Sequence, residues 1–76
     1  MKKFEPTTID KLQKGDHFYF PDDTKKRVYE LFRHEGKAAV IEKVYSDDNL
    51  KKVAHKDEHF DLVKVVFLNS KEERKK

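Results

Sequence analysis

The sequence predicts a small, mainly β domain in which five short antiparallel strands follow one another as a meander and curl into a barrel. The chain has 76 residues, which is enough for one domain. Its apolar residues gather into short runs that are rich in β-branched and aromatic side chains, the types that favour strands. Clusters of turn-forming residues separate these runs at short intervals, as they do in small all-β folds.

The composition narrows the classes of function. The chain has no cysteine, which excludes disulfides, Cys-based zinc sites, iron–sulfur clusters and thiol catalysis. Its two glycines, at positions 15 and 36, are too few for a phosphate-binding glycine-rich loop. No apolar stretch approaches the roughly 18–20 residues that span a bilayer, and acidic residues interrupt the region after Lys3 where a signal peptide would be apolar. We therefore expect a cytoplasmic protein without membrane contact or cofactor.

The positive charge of the chain belongs to its ends. Lys2 and Lys3 add two positive charges and residues 71–76 add two more, so the formal total of +3 leaves residues 4–70 at −1. Chain ends are commonly disordered. The basic balance alone therefore does not indicate a polyanionic partner.

The N-terminal part predicts an arm, one helical turn and a first strand. Residues 1–8 show no periodic pattern and are interpreted as a flexible arm. A single helical turn fits residues 8–13, and Gly15 ends it. The aromatic run His17–Phe20 is typical of a strand, and the turn formers in 21–24 end it.

A hairpin is the clearest structural signal in the middle of the chain. Two strand-like runs, 27–34 and 37–45, flank Gly36. The alternative is an α+β fold, because 25–34 lacks Gly and Pro and the apolar residues at 28, 31 and 32 also fit a helical period.

The register of this hairpin is open at the level of sequence. A three-residue loop sets Glu30 opposite Glu42, a mildly unfavourable pair of like charges. A two-residue loop avoids that pair but sets Val28 against Lys43. Neither choice is clearly better.

The C-terminal part predicts two further strands and a tail. A short strand fits 50–55, and the run 61–68 is apolar on both faces except at Lys64, which is typical of a central strand. Residues 9–70 therefore form the predicted domain, and 71–76 form a predicted disordered, charged tail. The spacing Ile9-x-x-Leu12-x-x-Gly15-Asp16-x-Phe18 resembles the lead-in to SH3-like barrels. That resemblance covers about ten residues and implies a fold, not a function.

One short motif invites a metal hypothesis. Residues 55–59 read H-x-x-E-H, which resembles the inverted zincins, where both histidines of one helix bind zinc and the glutamate acts as base. Strand-like residues crowd both sides of the motif here, so a solvated loop is favoured. His55 and His59 are kept only as a weak metal site, and no metal or enzymatic activity is expected.

Two binding hypotheses are left. An aromatic and basic patch near the first turn would suit single-stranded nucleic acid or RNA, with bases stacking on aromatic rings. Its candidate residues are His17, Tyr19, Lys25, Lys26, Arg27 and Tyr29.

The hypothesis that we rank first is a non-enzymatic interaction module. The strands carry more apolar residues than the inside of one small barrel can bury, and the excess on the outer sheet face would contact a protein partner or a second copy of the chain. The candidate interface residues are Val28, Phe32, Val40, Val44, Leu62, Val66 and Leu68. No small-molecule substrate is indicated.

Overall fold

The computed structural model describes residues 1–44, 52–55 and 59–75, with 52–55 described by their backbone alone. Its strands are β1 (Glu5–Thr8), β2 (His17–Tyr19), β3 (Tyr29–Glu35), β4 (Ala38–Lys43), β5 (Lys52–His55) and β6 (Lys64–Asn69). Single 3₁₀ turns lie at Ile9–Lys11 and Phe60–Leu62, and a short helix, α1, covers Lys71–Arg74. The described residues contain no helix with the length and apolar character needed to cross a membrane.

The prediction of a mainly β, antiparallel fold is confirmed. All six strands belong to one sheet in the order β1-β6-β2-β3-β4-β5, and every pairing is antiparallel. The predicted strands correspond to β2 through β6, and β2 to β5 follow one another as the expected meander. β6 instead returns to lie between β1 and β2. No ladder joins β1 to β5 within the described residues, so closure into a barrel stays a prediction.

The N-terminal arm differs from its prediction because residues 5–8 form a strand. β1 pairs with β6, with Pro6 opposite Val66 and Thr7 opposite Val65. β6 is apolar on both faces and sits inside the sheet, which requires a neighbouring strand on each edge. β1 is too short to show an alternating pattern in the sequence. Its strand structure depends on its backbone pairing with β6. The predicted helical turn is present and buries Ile9 completely.

The hairpin follows the predicted three-residue register away from its tip, and the two-residue alternative, which sets Val28 against Lys43, is wrong. The loop at the tip is formed by Gly36 and Lys37, a register that neither of the two predicted alternatives includes. This loop sets Arg33 opposite Val40. The pairing then shifts by one residue at Phe32, and beyond this bulge Glu30 lies opposite Glu42, as the three-residue register predicts. Residues 29–35 are a strand, so the helical alternative for this segment is wrong.

The core lies between the sheet and the two 3₁₀ turns. Its buried side chains are Ile9, Leu12, Phe18, Leu31, Ala39, Ile41, Phe60, Val65 and Phe67. Two partly buried rings, Phe20 and Tyr29, pack against Phe18, with ring centroids 5.7 and 6.0 Å from that of Phe18. A core of this size leaves the stability of the chain sensitive to polar contacts at its margins.

The C-terminal tail begins with a helix, where the sequence predicted disorder. The Ser70 hydroxyl accepts a hydrogen bond from the Glu73 N–H at 3.2 Å, and the same hydroxyl lies 3.3 Å from the Glu73 carboxylate. Ser70 and Glu73 have the three-residue spacing of a capping box, which satisfies N–H groups that a short helix would leave unpaired. The Ser70 and Glu73 spacing is visible in the sequence and indicates a helix start, but the many charged residues of 71–76 favoured the prediction of a disordered tail.

Gly15 permits the tail to pack closely against the turn before β2. Its φ is +93°, a conformation that other residues rarely adopt. A Cβ at this position would come within 2.8 Å of the Lys71 Cβ. A residue with a side chain at position 15 would therefore strain the backbone and push α1 away.

We expect Gly15→Asn to lower the free energy of unfolding by about 1–3 kcal/mol, since it adds both backbone strain and a collision. Gly36→Asn is the matched control, because Gly36 has φ +61°, which asparagine tolerates, and nothing lies within 4 Å of its added Cβ. Urea denaturation followed by far-UV circular dichroism measures both variants. Equal losses for the two would contradict the close approach of α1.

Candidate interaction surface

The face of the sheet that points away from the core carries a row of polar residues. On β2, His17 alternates with the buried Phe18, so its side chain is on the opposite face. His17 lies opposite Glu30, and Glu30 lies opposite Glu42. We call His17, Glu30 and Glu42 the polar row.

Arg74 of α1 closes one end of the polar row. Its Nη2 donates to Glu30 Oε1 at 3.2 Å and to the Gly15 carbonyl, and its Nη1 donates to Asn69 Oδ1 at 2.6 Å. His17 Nε2 donates to the same Glu30 oxygen at 2.9 Å. These contacts offset the repulsion between Glu30 and Glu42 that the register imposes.

A second row on the same face is apolar. Pro6, Val66 and Tyr19 lie opposite one another on β1, β6 and β2. The β2–β3 pairing, continued by one residue, sets Val28 beside Tyr19, and the Val44 N–H donates to the Val28 carbonyl at 3.0 Å. Pro6 is exposed and the other four are half-buried. We call these five residues the apolar row.

The predicted interface residues do not all lie together. Val28, Val44 and Val66 belong to the apolar row, and Leu68 lies two residues beyond Val66 on β6. Val40 is only 6% exposed, so its side chain offers little surface to a partner.

The other two predicted interface residues lie elsewhere. Phe32 is at the bulge, where Lys14 Nζ and the Arg33 guanidinium lie 5.6 and 5.7 Å from the centroid of its ring. Leu62 is exposed, but it belongs to the second 3₁₀ turn and not to the sheet. Only part of the predicted set therefore lies together on one face of the sheet.

The predicted nucleic-acid patch is divided between the core and the surface. His17, a candidate of this patch, is only 8% exposed and its Nε2 donates to Glu30. Tyr29 packs against Phe18 and Phe20, with its ring centroid 5.2 Å from that of Phe20. His17 is therefore not available as a stacking platform, and the partly buried Tyr29 ring already stacks on Phe18. Tyr19 is half-buried on the outer face.

The basic residues of that patch lie on the loop between β2 and β3. Lys25, Lys26 and Arg27 are all exposed, and Lys26 Nζ lies 4.9 Å from the centroid of the Tyr19 ring. The Asp23 carboxylate accepts the N–H groups of Lys25 and Arg27 at 3.0 and 3.1 Å. The bond from the Arg27 N–H holds the pKa of Asp23 below its usual range. Asp23 therefore organises this loop and pairs with the Arg27 side chain.

Neither histidine of the H-x-x-E-H motif lies in a helix, where an inverted zincin holds both. His55 is the last residue of β5, and His59 has the left-handed φ of +66° before the second 3₁₀ turn. The side chain of His55 and residues 56–58 lie outside the described residues. Within the part that is described, no group of three or more histidine or carboxylate side chains is arranged to hold a metal ion.

Asp16 lies in the wall of two adjoining hollows between α1 and the turn before β2. The hollows measure about 180 and 260 Å³ and share Gln13, Asp16 and Ser70. Both are smaller than the roughly 300–1,000 Å³ of typical ligand pockets. Burial raises the pKa of the Asp16 carboxyl above its usual range, against the lowering effect of the hydrogen bond from the Gln13 N–H at 2.8 Å. This carboxylate organises the turn.

Comparison with known proteins adds no relative. No family model matches the chain, and neither a curated protein nor a solved structure is similar to it. The candidate surface is therefore interpreted from its own geometry.

We expect Arg74→Ala to lower the free energy of unfolding by about 1–2 kcal/mol, because it removes charge-assisted hydrogen bonds to Glu30 and Asn69. Lys75→Ala is the control, since Lys75 is exposed on the same tail and should change stability by less than about 0.5 kcal/mol. Arg74→Lys keeps the charge but loses the planar fork, so it should fall between them. Equal stability of the two alanine variants in urea would show that the tail is not anchored.

Asp16 and Asp23 should change stability with pH in opposite directions. The raised pKa of Asp16 means that the folded state binds its proton more tightly than the unfolded chain. Its contribution is then complete below the ordinary value of 3.8 and is lost as pH rises through the folded pKa. Wild type should therefore gain stability relative to Asp16→Asn as pH falls from 7 towards 4. Asparagine can still accept the Gln13 N–H.

The matched contrast is Asp23→Asn. The pKa of Asp23 is lowered, so its contribution is present above 3.8 and is lost as pH falls through the folded pKa. Wild type should lose stability relative to Asp23→Asn at the acid end. Urea denaturation at several pH values measures both differences. The raised pKa of Asp16 is contradicted if the stability difference between wild type and Asp16→Asn does not change with pH, or changes in the direction expected for Asp23.

Proposed function

We propose that this protein is a non-enzymatic interaction module that binds another protein chain through the apolar row. The observation that carries the proposal is the contrast between the two rows. The polar row has its carboxylate Glu30 satisfied by His17 and Arg74. The apolar row crosses the same face and keeps Pro6 exposed and its other side chains half-buried. Apolar surface of this kind on a small domain is typical of an interface.

The polar side chains also favour binding over catalysis. His17 and His34 each donate from Nε2 to an oxygen, that of Glu30 at 2.9 Å and that of the Leu12 carbonyl at 2.8 Å. The hydroxyl of Ser70 caps α1. These groups hold elements of the fold together, and a general base for catalysis would need to face a substrate instead.

Nucleic acid is the second candidate partner. It is favoured by the exposed Lys25 and Lys26 beside Tyr19, an arrangement that could hold phosphates next to a stacking ring. It is disfavoured because the face of Tyr19 already carries Lys26 and the other members of the apolar row are aliphatic. A stacking platform needs aromatic faces that bases can reach.

The proposal is tested with Val28→Thr combined with Val66→Thr, a change that keeps side-chain shape and strand preference but makes the row polar. Val63→Thr is the control, because Val63 is 36% exposed and lies outside the row. Each protein is used to select from a displayed random peptide library, and each is measured by sedimentation over a range of concentrations. We expect wild type and the control to select the same peptides, or to self-associate, while the row variant loses both properties.

Two results would contradict the proposal. The first is that the variant with Val28→Thr and Val66→Thr selects the same peptides as wild type and self-associates to the same extent. The other is a wild-type monomer that selects no peptide but binds mixed oligonucleotides with an affinity that falls steeply as salt rises, which would make nucleic acid the partner.

A further inference from the structure

The apolar row is bordered by lysines. Lys26 lies over the Tyr19 ring, with Nζ 4.9 Å from its centroid, and its neighbour Lys25 is exposed. Lys64 is exposed and lies two residues before Val66 on β6, so its side chain is on the same face. The charges of Lys26 and Lys64 therefore lie along one side of the row, and Lys25 is exposed on the adjoining loop.

The carboxylates near these lysines are mostly engaged. Asp23 accepts two N–H groups and pairs with Arg27 Nε at 3.4 Å. Glu30 is held by His17 and Arg74 on the other side of the row. Asp22 is exposed on the same loop and offsets only part of the positive charge. The side of the apolar row that carries the lysines is thus positive even though residues 4–70 have a net charge of −1, whereas Glu30 and Glu42 of the polar row lie on its other side.

We infer that the partner is a protein segment that is acidic as well as apolar. This inference rests on the proposed function and specifies the chemistry of the partner for the same surface. Aliphatic side chains of the segment would lie on Val28, Val44 and Val66, and its carboxylates would face Lys25, Lys26 and Lys64. An apolar centre with a complementary charged rim is the usual anatomy of a protein interface, and the rim sets selectivity.

The test uses four blocked octapeptides. The acidic apolar peptide has four alternating valines and leucines between pairs of glutamates, and the basic apolar peptide has lysines in place of the glutamates. The neutral apolar peptide has serines at the ends, and the acidic polar peptide has serines in the centre. Each is titrated into the uniformly ¹⁵N-labelled full chain, and the amide signals of Tyr19, Val28 and Val66 are followed by NMR.

Wild type should bind the acidic apolar peptide most tightly, with shifts along the apolar row. Lys26→Glu combined with Lys64→Glu should weaken that binding about three- to tenfold, the effect of losing two exposed ion pairs, and should tighten binding of the basic apolar peptide. The control is Lys11→Glu combined with Lys37→Glu, which makes the same change in net charge at exposed positions away from the row and should leave the ranking as in wild type.

The results separate the inference from the proposed function. If wild type binds the neutral or basic apolar peptide as tightly as the acidic one, the acidic partner is excluded and the apolar interface stands. If the acidic polar peptide shifts the row as strongly as the acidic apolar one, or if no apolar peptide shifts it, both are excluded. Weakening by the control variant to the same extent would show that only net charge matters, which also overturns the inference.

Discussion

The turn at Gly15 and Asp16 is the junction on which the rest of the structure depends. The Gly15 N–H donates to the Leu31 carbonyl at 2.8 Å, and the Leu31 N–H donates to the Asp16 carbonyl at 3.0 Å. These bonds set β3 beside the start of β2 and bury Leu31 completely. The same turn accepts Arg74 and has no Cβ where Lys71 approaches. One short segment therefore joins the core, the hairpin and the C-terminal helix.

This arrangement compensates for a thin core. A chain of 76 residues buries a limited apolar surface area on folding. Specific contacts made by its chain ends therefore add appreciably to its stability. α1 does so through Arg74, whose guanidinium spans β3, β6 and the turn before β2. The helix thereby supplies a partner to Glu30 of the polar row. The contacts of Arg74 do not extend to the apolar row. For this reason we propose the apolar row as the binding surface.

The candidate surface was predictable in part. The apolar runs around Val28, Val44 and Val66 are visible in the sequence, and the structure brings these three residues into one row. The bulge at Phe32 was not visible in the sequence. It arises because the two-residue loop at the tip and the pairing beyond Phe32 differ in register by one residue. The burial of Val40 was not visible in the sequence either. A sequence pattern shows which residues are apolar. It does not show on which face of the sheet each of them lies once a bulge has shifted the register.

The polar contacts show the same limit. The capping spacing of Ser70 and Glu73 can be read from the sequence, yet the helix matters only because Arg74 reaches Glu30, which lies 44 positions earlier. His17 lies on the outer face and is nevertheless buried, and its ring contacts the same Glu30 oxygen as Arg74.

The sequence by itself determined the strand-rich class, the turns and the absence of thiol chemistry, since these follow from local preferences and residue types. Only the tertiary structure decided the place of β1, the hairpin register and the division of the outer face into a polar row and an apolar row. Those features depend on pairings between distant segments, whose energies no local pattern contains.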